Sequence, residues 1–210
     1  MKERAKRNSI PELISEKIVE IVGQNREITE LDKKKLVYYI YVLYVNITKM
    51  VIILAIACLL NIFKEVFIIW AFFAIQRKFA FGIHSSNSIS CTIVSILIFI
   101  GGGLVNKYFT LPIYIVYLIY AMVLLAYIIY APADTESRPL VGKKLRKKFK
   151  IKTIVTFTFL FALVMILNSH QIKTLFAISA LAETISILPI TYKVFKRRYN
   201  NYEYFKKGRK

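Results

Sequence analysis

The feature that most limits what this chain can fold into is its series of long apolar runs. The clearest covers residues 111–131, where 21 consecutive residues carry no charge. About 20 apolar residues are enough for a helix to cross the hydrocarbon core of a bilayer, which is about 30 Å thick. Hydrophobic residues make up 57% of the chain, and its mean hydropathy is +0.51. These values exclude an ordinary soluble domain and predict an all-α, polytopic membrane protein, with residues 1–210 in a single membrane-embedded domain.

The apolar runs predict about six transmembrane helices. The second run is the shortest, because Val66 to Gln76 has only 11 residues and crosses only if Phe79 to Phe81 are added. A re-entrant or tilted segment is the alternative there. Before the spans, apolar residues between Ile10 and Val22 recur at helical spacing and predict an amphipathic surface helix, or a helix packed on the embedded ones. The predicted spans are 45–63, 66–81, 91–105, 111–131, 153–172 and 174–192.

The distribution of charge predicts the topology. The chain has 31 Lys and Arg against 12 Asp and Glu, a net charge of +19. Such a charge can indicate nucleic-acid binding, but the basic residues collect at both termini and in the loop 138–152, which is a topology signal. We therefore predict that three segments are cytoplasmic: residues 1–35, the loop 138–152 and the basic, soluble tail 193–210. The predicted partner is the lipid bilayer, not nucleic acid. Because both ends of the chain are then on the cytoplasmic side, the number of spans must be even, and six spans meet this condition.

The reactive side chains concentrate between Arg77 and Cys91. The chain has two cysteines and two histidines, and His84 and Cys91 are seven residues apart, where a polar run meets an apolar one. The pair predicts a nucleophile and a base at a membrane surface. Seven residues of unbroken helix rise about 10.5 Å, so a hydrogen-bonded pair requires a break, which the polar residues 85–90 supply.

Cys91 is then expected in the first turn of the next helix, with Ser88 or Ser90 as the N-cap. A helix N-terminus and nearby cations favour the thiolate form of a cysteine. Taken alone, a cysteine in this position favours a buried, unreactive thiol. The neighbouring histidine, the serines and Arg77 favour catalysis when they are combined with the family resemblance described next.

Two blocks of sequence resemble a known family. They are Arg77, Gly82-Ile83-His84 and Cys91, and then Ala131-Pro132-Ala133-Asp134-Thr135 followed by Arg138-Pro139-Leu140. With the length, the basic balance and the number of apolar runs, these blocks resemble the accessory gene regulator B family, membrane endopeptidases that process quorum-sensing pro-peptides in Gram-positive bacteria. Phe81 departs from the family pattern, since many members have a glycine there.

The resemblance implies a cysteine endopeptidase of the bacterial cell membrane. The predicted topology places His84 and Cys91 on its cytoplasmic side. Cys91 would attack a carbonyl of a small membrane-associated pro-peptide with His84 as general base, and the acyl-thioester would allow a thiolactone or lactone ring to close. The basic 138–152 loop would bind the acidic tail of the peptide. A second copy of the chain is the further partner that the resemblance implies, in a homodimer.

Arg77, Gly82 and Asp134 are candidate supporting residues. Arg77 would orient a substrate carboxylate or an Asp, or serve as an interfacial anchor. Gly82 would permit a backbone shape that a Cβ blocks, or be a simple loop glycine. Asp134 would orient the base or pair with a cation, or act as an N-cap or a surface ion-pair partner.

A non-enzymatic transporter subunit or interaction scaffold is the competing hypothesis, centred on Glu183 and the glycines 101–103. Glu183 has nine uncharged residues on each side, which marks a functional carboxyl or a protonated one bonded to another helix. The glycines predict close helix contact or unwinding.

Cys58 is predicted to be a small buried hydrophobe, and His170 is assigned no role. Neither zinc-ligand spacing nor a phosphate-binding loop is visible, so no metal or cofactor is expected.

Overall fold

The computed structural model describes residues 10–23, 29–83, 88–135 and 139–207. These ranges contain nine helices and no β-strand, and four of the helices are long and apolar enough to cross a membrane. The protein is therefore an all-α polytopic membrane protein, as the sequence predicts. The helices are α1 (Ile10–Gly23), α2 (Glu30–Leu59), α3 (Phe63–Ala80), α4 (Ser88–Tyr108), α5 (Ile113–Tyr130), α6 (Lys143–Ile166), α7 (His170–Ile187), α8 (Pro189–Val194) and α9 (Asn201–Lys207).

The chain divides into two compact units, residues 1–55 and 56–210. In the first unit, α1 is amphipathic: Ser15 and Val19, one turn apart, are buried, whereas Leu13, Ile18 and Ile21 are exposed. The start of α2 is fixed by a cap. Thr29 Oγ1 accepts a hydrogen bond from the Asp32 N–H at 3.2 Å and donates one to the Asp32 carboxylate at 2.7 Å, which satisfies one of the free donors at a helix start.

In the second unit, helices α3 to α7 alternate in direction. α3 and α4 are antiparallel, because Val66 faces Gly103 while Phe73 faces Phe99. α5 and α6 are antiparallel too, as the ring pairs Tyr117–Phe161 and Tyr127–Phe157 demonstrate. α3 and α7 are parallel, with Phe72 against Phe176 and Arg77 against Glu183. The C-terminal ends of α3, α5 and α7 therefore lie at the same end as the N-terminal ends of α4 and α6. We call this the site end; it comprises residues 80–83, 88–91, 131–135, 142–149 and 186–192.

An aromatic cluster forms the centre of this unit. Tyr127, Phe157 and Phe176 are each at most 2% exposed. The Phe157 ring contacts Tyr127 edge-on and stacks on Phe176, with ring centroids 5.1 and 5.5 Å apart. Each such pair adds about 0.5–1.5 kcal/mol to the stability that burial provides. The cluster holds α5, α6 and α7 together and so fixes the helix ends that form the site end.

Small residues allow α4 to approach its neighbours closely. A Cβ on Gly102 would lie 2.9 Å from Ile178 Cγ2 and 3.0 Å from Ile69 Cδ1, whereas a Cβ on Gly101 would have no atom of the described residues within 4 Å. In lipid, where apolar burial does not drive helices together, such close packing is a main source of association. Of the two expectations for the glycines, close helix contact is correct, and α4 continues without unwinding to Tyr108.

Several predicted boundaries are wrong. The turn after α2 lies at residues 60–62, not at Lys64 and Glu65, and Asn61 adopts a φ of 55° there. The predicted span 174–192 is divided at Leu188, because Pro189 cannot continue α7. α6 begins at Lys143, ten residues before the predicted span. Cys58 is exposed on its helix and not buried by protein.

α3 and α7 are the two long helices of the second unit that are not among the four clearly apolar ones. Both have 18 residues, or about 27 Å at 1.5 Å per residue, and each buries polar side chains against the other. Polar residues inside a membrane bundle face its interior and mark functional sites. The number of six spans stays a prediction; the pairing of α3 with α7 is where the candidate site lies.

Candidate functional site

The end of α3 has a backbone conformation that favours glycine. Phe81 has a φ of 63° and Gly82 a φ of 116°, a region that a Cβ makes unfavourable. A Cβ on Gly82 would also lie 2.3 Å from Ser186 Oγ and 3.2 Å from Arg77 Nη1. Gly82 is thus required both for its φ and for close approach. The φ of Phe81 gives a physical reason for the glycine that the family pattern leads us to expect at that position.

The two sequence blocks are hydrogen-bonded to each other. The Gly82 N–H donates to the Ala133 carbonyl at 3.0 Å, and the Ala133 N–H donates to the Ala80 carbonyl at 2.9 Å. Phe81 and Ala133 thereby form a parallel bridge. The segment after α5, which begins with the cis Ala131–Pro132 peptide, is therefore anchored directly to the segment that leads to His84.

Arg77 joins three elements of the site. Its Nη1 lies 3.2 Å from Glu183 Oε2 and donates to Ser186 Oγ at 3.1 Å, both on α7. Its Nη2 donates to the Ile83 carbonyl. The side chain is about one-fifth exposed, while that of Glu183 is fully buried. Glu183 thus contacts another helix, and its partner there is the guanidinium of Arg77. The expected contact between helices is present, whereas the protonated state of Glu183 stays a prediction.

The peptide groups on both sides of Ile83 are held. Its N–H donates to the Ser186 carbonyl at 3.0 Å, and its own carbonyl accepts from Arg77. His84 is the next residue in the sequence and lies, with residues 85–87, outside the described residues. Two independent contacts from α7 and α3 therefore fix the backbone that enters His84.

Cys91 is the fourth residue of α4, in its first turn, and is half-buried. Ser90 lies inside the helix, so it is not the N-cap. In the antiparallel register set by Val66–Gly103 and Phe73–Phe99, each step back along α4 is a step forward along α3. That register brings Cys91 to about the level of the end of α3 along the helix axis.

Asp134 is buried and faces the C-terminal segment. Its carboxylate accepts hydrogen bonds from the N–H groups of Leu140, Asn201 and Tyr202, at 3.2, 3.1 and 2.8 Å. The carboxylate thereby satisfies two of the free N–H donors at the start of α9, although Asp134 is distant from this helix in sequence and is not its N-cap residue. Tyr192 Oη also donates to the Asp134 carbonyl at 3.1 Å. The predicted soluble tail therefore folds back onto the site end, at least as far as α9.

A basic surface lies beside this segment. Lys143, Lys144, Lys147 and Lys148 at the start of α6 are exposed, and Arg146 stacks on the Tyr202 ring with its guanidinium carbon 3.5 Å from the centroid. A cavity of about 380 Å³ is lined by Gly142, Lys143, Arg146, Tyr202 and Glu203. Burial raises the pKa of the nearby Tyr199, although Arg146 acts in the opposite direction. This phenol therefore remains uncharged near neutral pH.

The sequence analysis does not predict the hydrogen bonds that Gln76 makes in the polar network between α3 and α7. Gln76 Nε2 donates to Ser179 Oγ at 3.2 Å and its Oε1 accepts from Tyr127 Oη at 2.8 Å. Ser179, Glu183 and Ser186 are spaced four and then three residues apart, which places them on one face of α7. That spacing in an otherwise apolar helix was the available signal.

The fold and site together define a class: a polytopic, all-α membrane protein in which the loops after α3 and α5 are hydrogen-bonded at the same end of the bundle as a cysteine-bearing helix start. The family model for "Accessory gene regulator B" matches residues 15–187. The chain belongs to the accessory gene regulator B family, and this membership gives it a role in the accessory gene regulator pathway of quorum sensing.

Several relatives support the assignment. A "Putative AgrB-like protein" of Clostridium acetobutylicum is 37% identical over 198 residues, 92% of this chain and 95% of the relative. A protein of the same description from Listeria innocua is 32% identical over 80% of this chain and 83% of its own. "Accessory gene regulator protein B" of Staphylococcus aureus is 30% identical over 72% and 79%. No solved structure matches the chain.

Proposed function

We propose that this protein is a membrane cysteine endopeptidase that cleaves a small, membrane-associated pro-peptide. Cys91 Sγ attacks a peptide carbonyl, and its proton passes to His84. When the intermediate collapses, the C–N bond breaks, His84 returns the proton to the leaving amine, and the C-terminal part of the peptide departs. The N-terminal part stays as a thioester on Cys91. A Cys or Ser side chain of the peptide then displaces Cys91, which closes the ring and restores the thiol.

The observation that carries this proposal is the meeting of the two sequence blocks at one end of the bundle. The Gly82–Ala133 hydrogen bond joins them, and the α3–α4 register brings Cys91 to the same level. Arg77 lies in the same cluster through its contacts with Glu183 and Ile83. A purely structural cysteine would not require this concentration of polar contacts around the preceding turn.

Charge supports the choice of substrate and its location. The exposed lysines of α6 begin immediately beside the bonded blocks, so an acidic peptide tail is attracted to the same end of the protein as the nucleophile. Segments rich in Lys and Arg stay on the cytoplasmic side. We therefore assign the site end, both termini and the cleavage reaction to the cytoplasmic face of the bacterial cell membrane.

Substitution of the two reactive residues tests the proposal. The protein is expressed with its cognate pro-peptide, and peptide cleavage is followed by mass spectrometry. Cys91→Ser and His84→Ala are expected to abolish cleavage. Cys58→Ser and His170→Ala are matched controls, because both residues are exposed and lie outside the site end, and both variants should cleave normally. Normal cleavage by Cys91→Ser and His84→Ala would rule out the peptidase.

The transporter or scaffold hypothesis gains no support from the described contacts. The Glu183 carboxylate is engaged with Arg77 inside the protein, and Gly102 and Gly103 pack against Ile69, Ile178 and Val66. These contacts join helices of a single chain. The peptidase is therefore the function we favour.

A further inference from the structure

We infer that Glu183 is a positioning residue for the catalytic pair: acting through Arg77, it fixes the Gly82–Ile83 backbone from which His84 follows. This inference rests on the proposed peptidase function. It adds a residue on α7, far along the chain from both sequence blocks.

The first step concerns the burial and the bonding partners of Glu183. Its side chain is fully buried, and its one ion-pair partner among the described residues is Arg77, at 3.2 Å. The second oxygen, Oε1, is buried and has no hydrogen-bond partner within the described part of the chain. Burying an incompletely satisfied carboxylate is costly, and apolar side chains would stabilise helix packing as well or better. Stability alone therefore does not account for Glu183.

The second step is the geometry of the guanidinium. Its donors lie in one plane with fixed directions, so an acceptor at one nitrogen orients the others. Nη1 is held by Glu183 and Ser186, and Nη2 bonds the Ile83 carbonyl. The orientation that Glu183 imposes on Arg77 is therefore passed to the Ile83 peptide group.

The third step is the close packing around the Ile83 peptide group. The position of a Gly82 Cβ would be 2.3 Å from Ser186 Oγ and 3.2 Å from Arg77 Nη1, so the backbone lies directly on the cluster. The Ile83 N–H bonds the Ser186 carbonyl, and the Gly82 N–H bonds Ala133. A rotation of Arg77 therefore breaks or strains its hydrogen bond to the carbonyl of Ile83, the residue that precedes His84 in the sequence. Proton transfer needs a donor–acceptor distance of about 2.6 to 3.2 Å, so a small shift there lowers the rate.

The test uses the full-length protein in proteoliposomes with the cognate pro-peptide. Glu183→Gln keeps the size of the side chain and removes its charge, and we expect kcat to fall at least tenfold while KM changes less than twofold. Ser186→Ala removes a neutral acceptor of the same guanidinium and should lower kcat several-fold. Ser179→Ala is the matched control, because Ser179 is also buried on α7 and bonded to α3 through Gln76, but does not contact Arg77. It should retain kcat within about twofold.

A double-mutant cycle tests whether Glu183 acts through Arg77. If it does, Arg77→Ala combined with Glu183→Ala should be no slower than Arg77→Ala alone. Losses that multiply in the double variant, or wild-type kcat in Glu183→Gln, would overturn the inference. In that case the peptidase assignment still stands if Cys91→Ser is inactive, whereas cleavage by Cys91→Ser would overturn the peptidase assignment itself.

Discussion

The Gly82 N–H donates a hydrogen bond to the Ala133 carbonyl at 3.0 Å. This contact joins the loop after α3 to the loop after α5, the two places where the sequence resembles its family most. Both loops follow helices that run in the same direction, so their ends meet without a long connection. The parallel direction of α3 and α5 therefore brings the two loops of the candidate site together. Gly82, where the loops touch, is the position at which a side chain is tolerated least.

Gly82→Ala is expected to abolish peptide cleavage, or to lower it at least tenfold. A Cβ costs about 1–2 kcal/mol per residue in left-handed backbone, and here it would also lie 2.3 Å from Ser186 Oγ. The backbone must move, and the segment entering His84 moves with it. Cleavage per unit of membrane-inserted protein is the measurement.

Gly101→Ala is the control for this prediction. Within the described part of the chain, a Cβ at that position would have no atom within 4 Å, and alanine favours a helix over glycine by roughly 1 kcal/mol. Gly101→Ala should therefore cleave normally. Equal activity of Gly82→Ala and wild type would contradict the role given to Gly82.

Asp134→Ala is expected to release the C-terminal segment from the site end. The substitution leaves three N–H groups without their acceptor, those of Leu140, Asn201 and Tyr202. Each unsatisfied buried donor costs about 1–3 kcal/mol, although water reaches some of them once the segment moves. Limited trypsin digestion should cut faster after Arg197 or Arg198 than in the wild type. Glu203→Gln, on the exposed side of α9, should leave the digestion rate unchanged.

Gly102→Val should destabilise the bundle, whereas Gly101→Val should not. The Gly102 Cβ position is 2.9 Å from Ile178 and 3.0 Å from Ile69, so valine forces α3, α4 and α7 apart. Overpacking of this kind costs about 1–3 kcal/mol, or a fall in Tm of roughly 2–12 °C for a chain of this size. Thermal unfolding in detergent measures the difference. Equal Tm values for the two variants would contradict the close packing at Gly102.

The sequence predicted the class of fold well because long apolar runs report directly on burial in lipid. It predicted the helix ends poorly for the same reason. Leu60 and Ile62 are as apolar as the helices on either side, so hydropathy does not mark the turn between them, although Asn61 tolerates the left-handed φ found there. At the end of α7, Pro189 is the residue in the sequence that indicates where the helix ends.

The site was predictable only where its residues are close in sequence. Arg77, Gly82 and Cys91 belong to one block, and their position at a helix end and the next helix start was correctly expected. The pairing of Arg77 with Glu183 depends on α3 and α7 being parallel neighbours, which no local pattern encodes. The contacts of Asp134 with Asn201 and Tyr202 likewise depend on the tail folding back, and a basic composition predicts only that the tail is soluble.

The topology can be tested by labelling single cysteines from outside the cell. In a Cys58→Ser, Cys91→Ser background, Tyr108→Cys places a thiol at the end of α4 opposite the site end, where the native side chain is 72% exposed. Lys148→Cys places one at the site end, on an exposed position of α6. With the basic segments inside, a membrane-impermeant maleimide should label Tyr108→Cys in intact cells and Lys148→Cys only after the membrane is opened. The reverse pattern would put the reactive end outside, away from a peptide made in the cytoplasm, and the proposed reaction would lose its substrate.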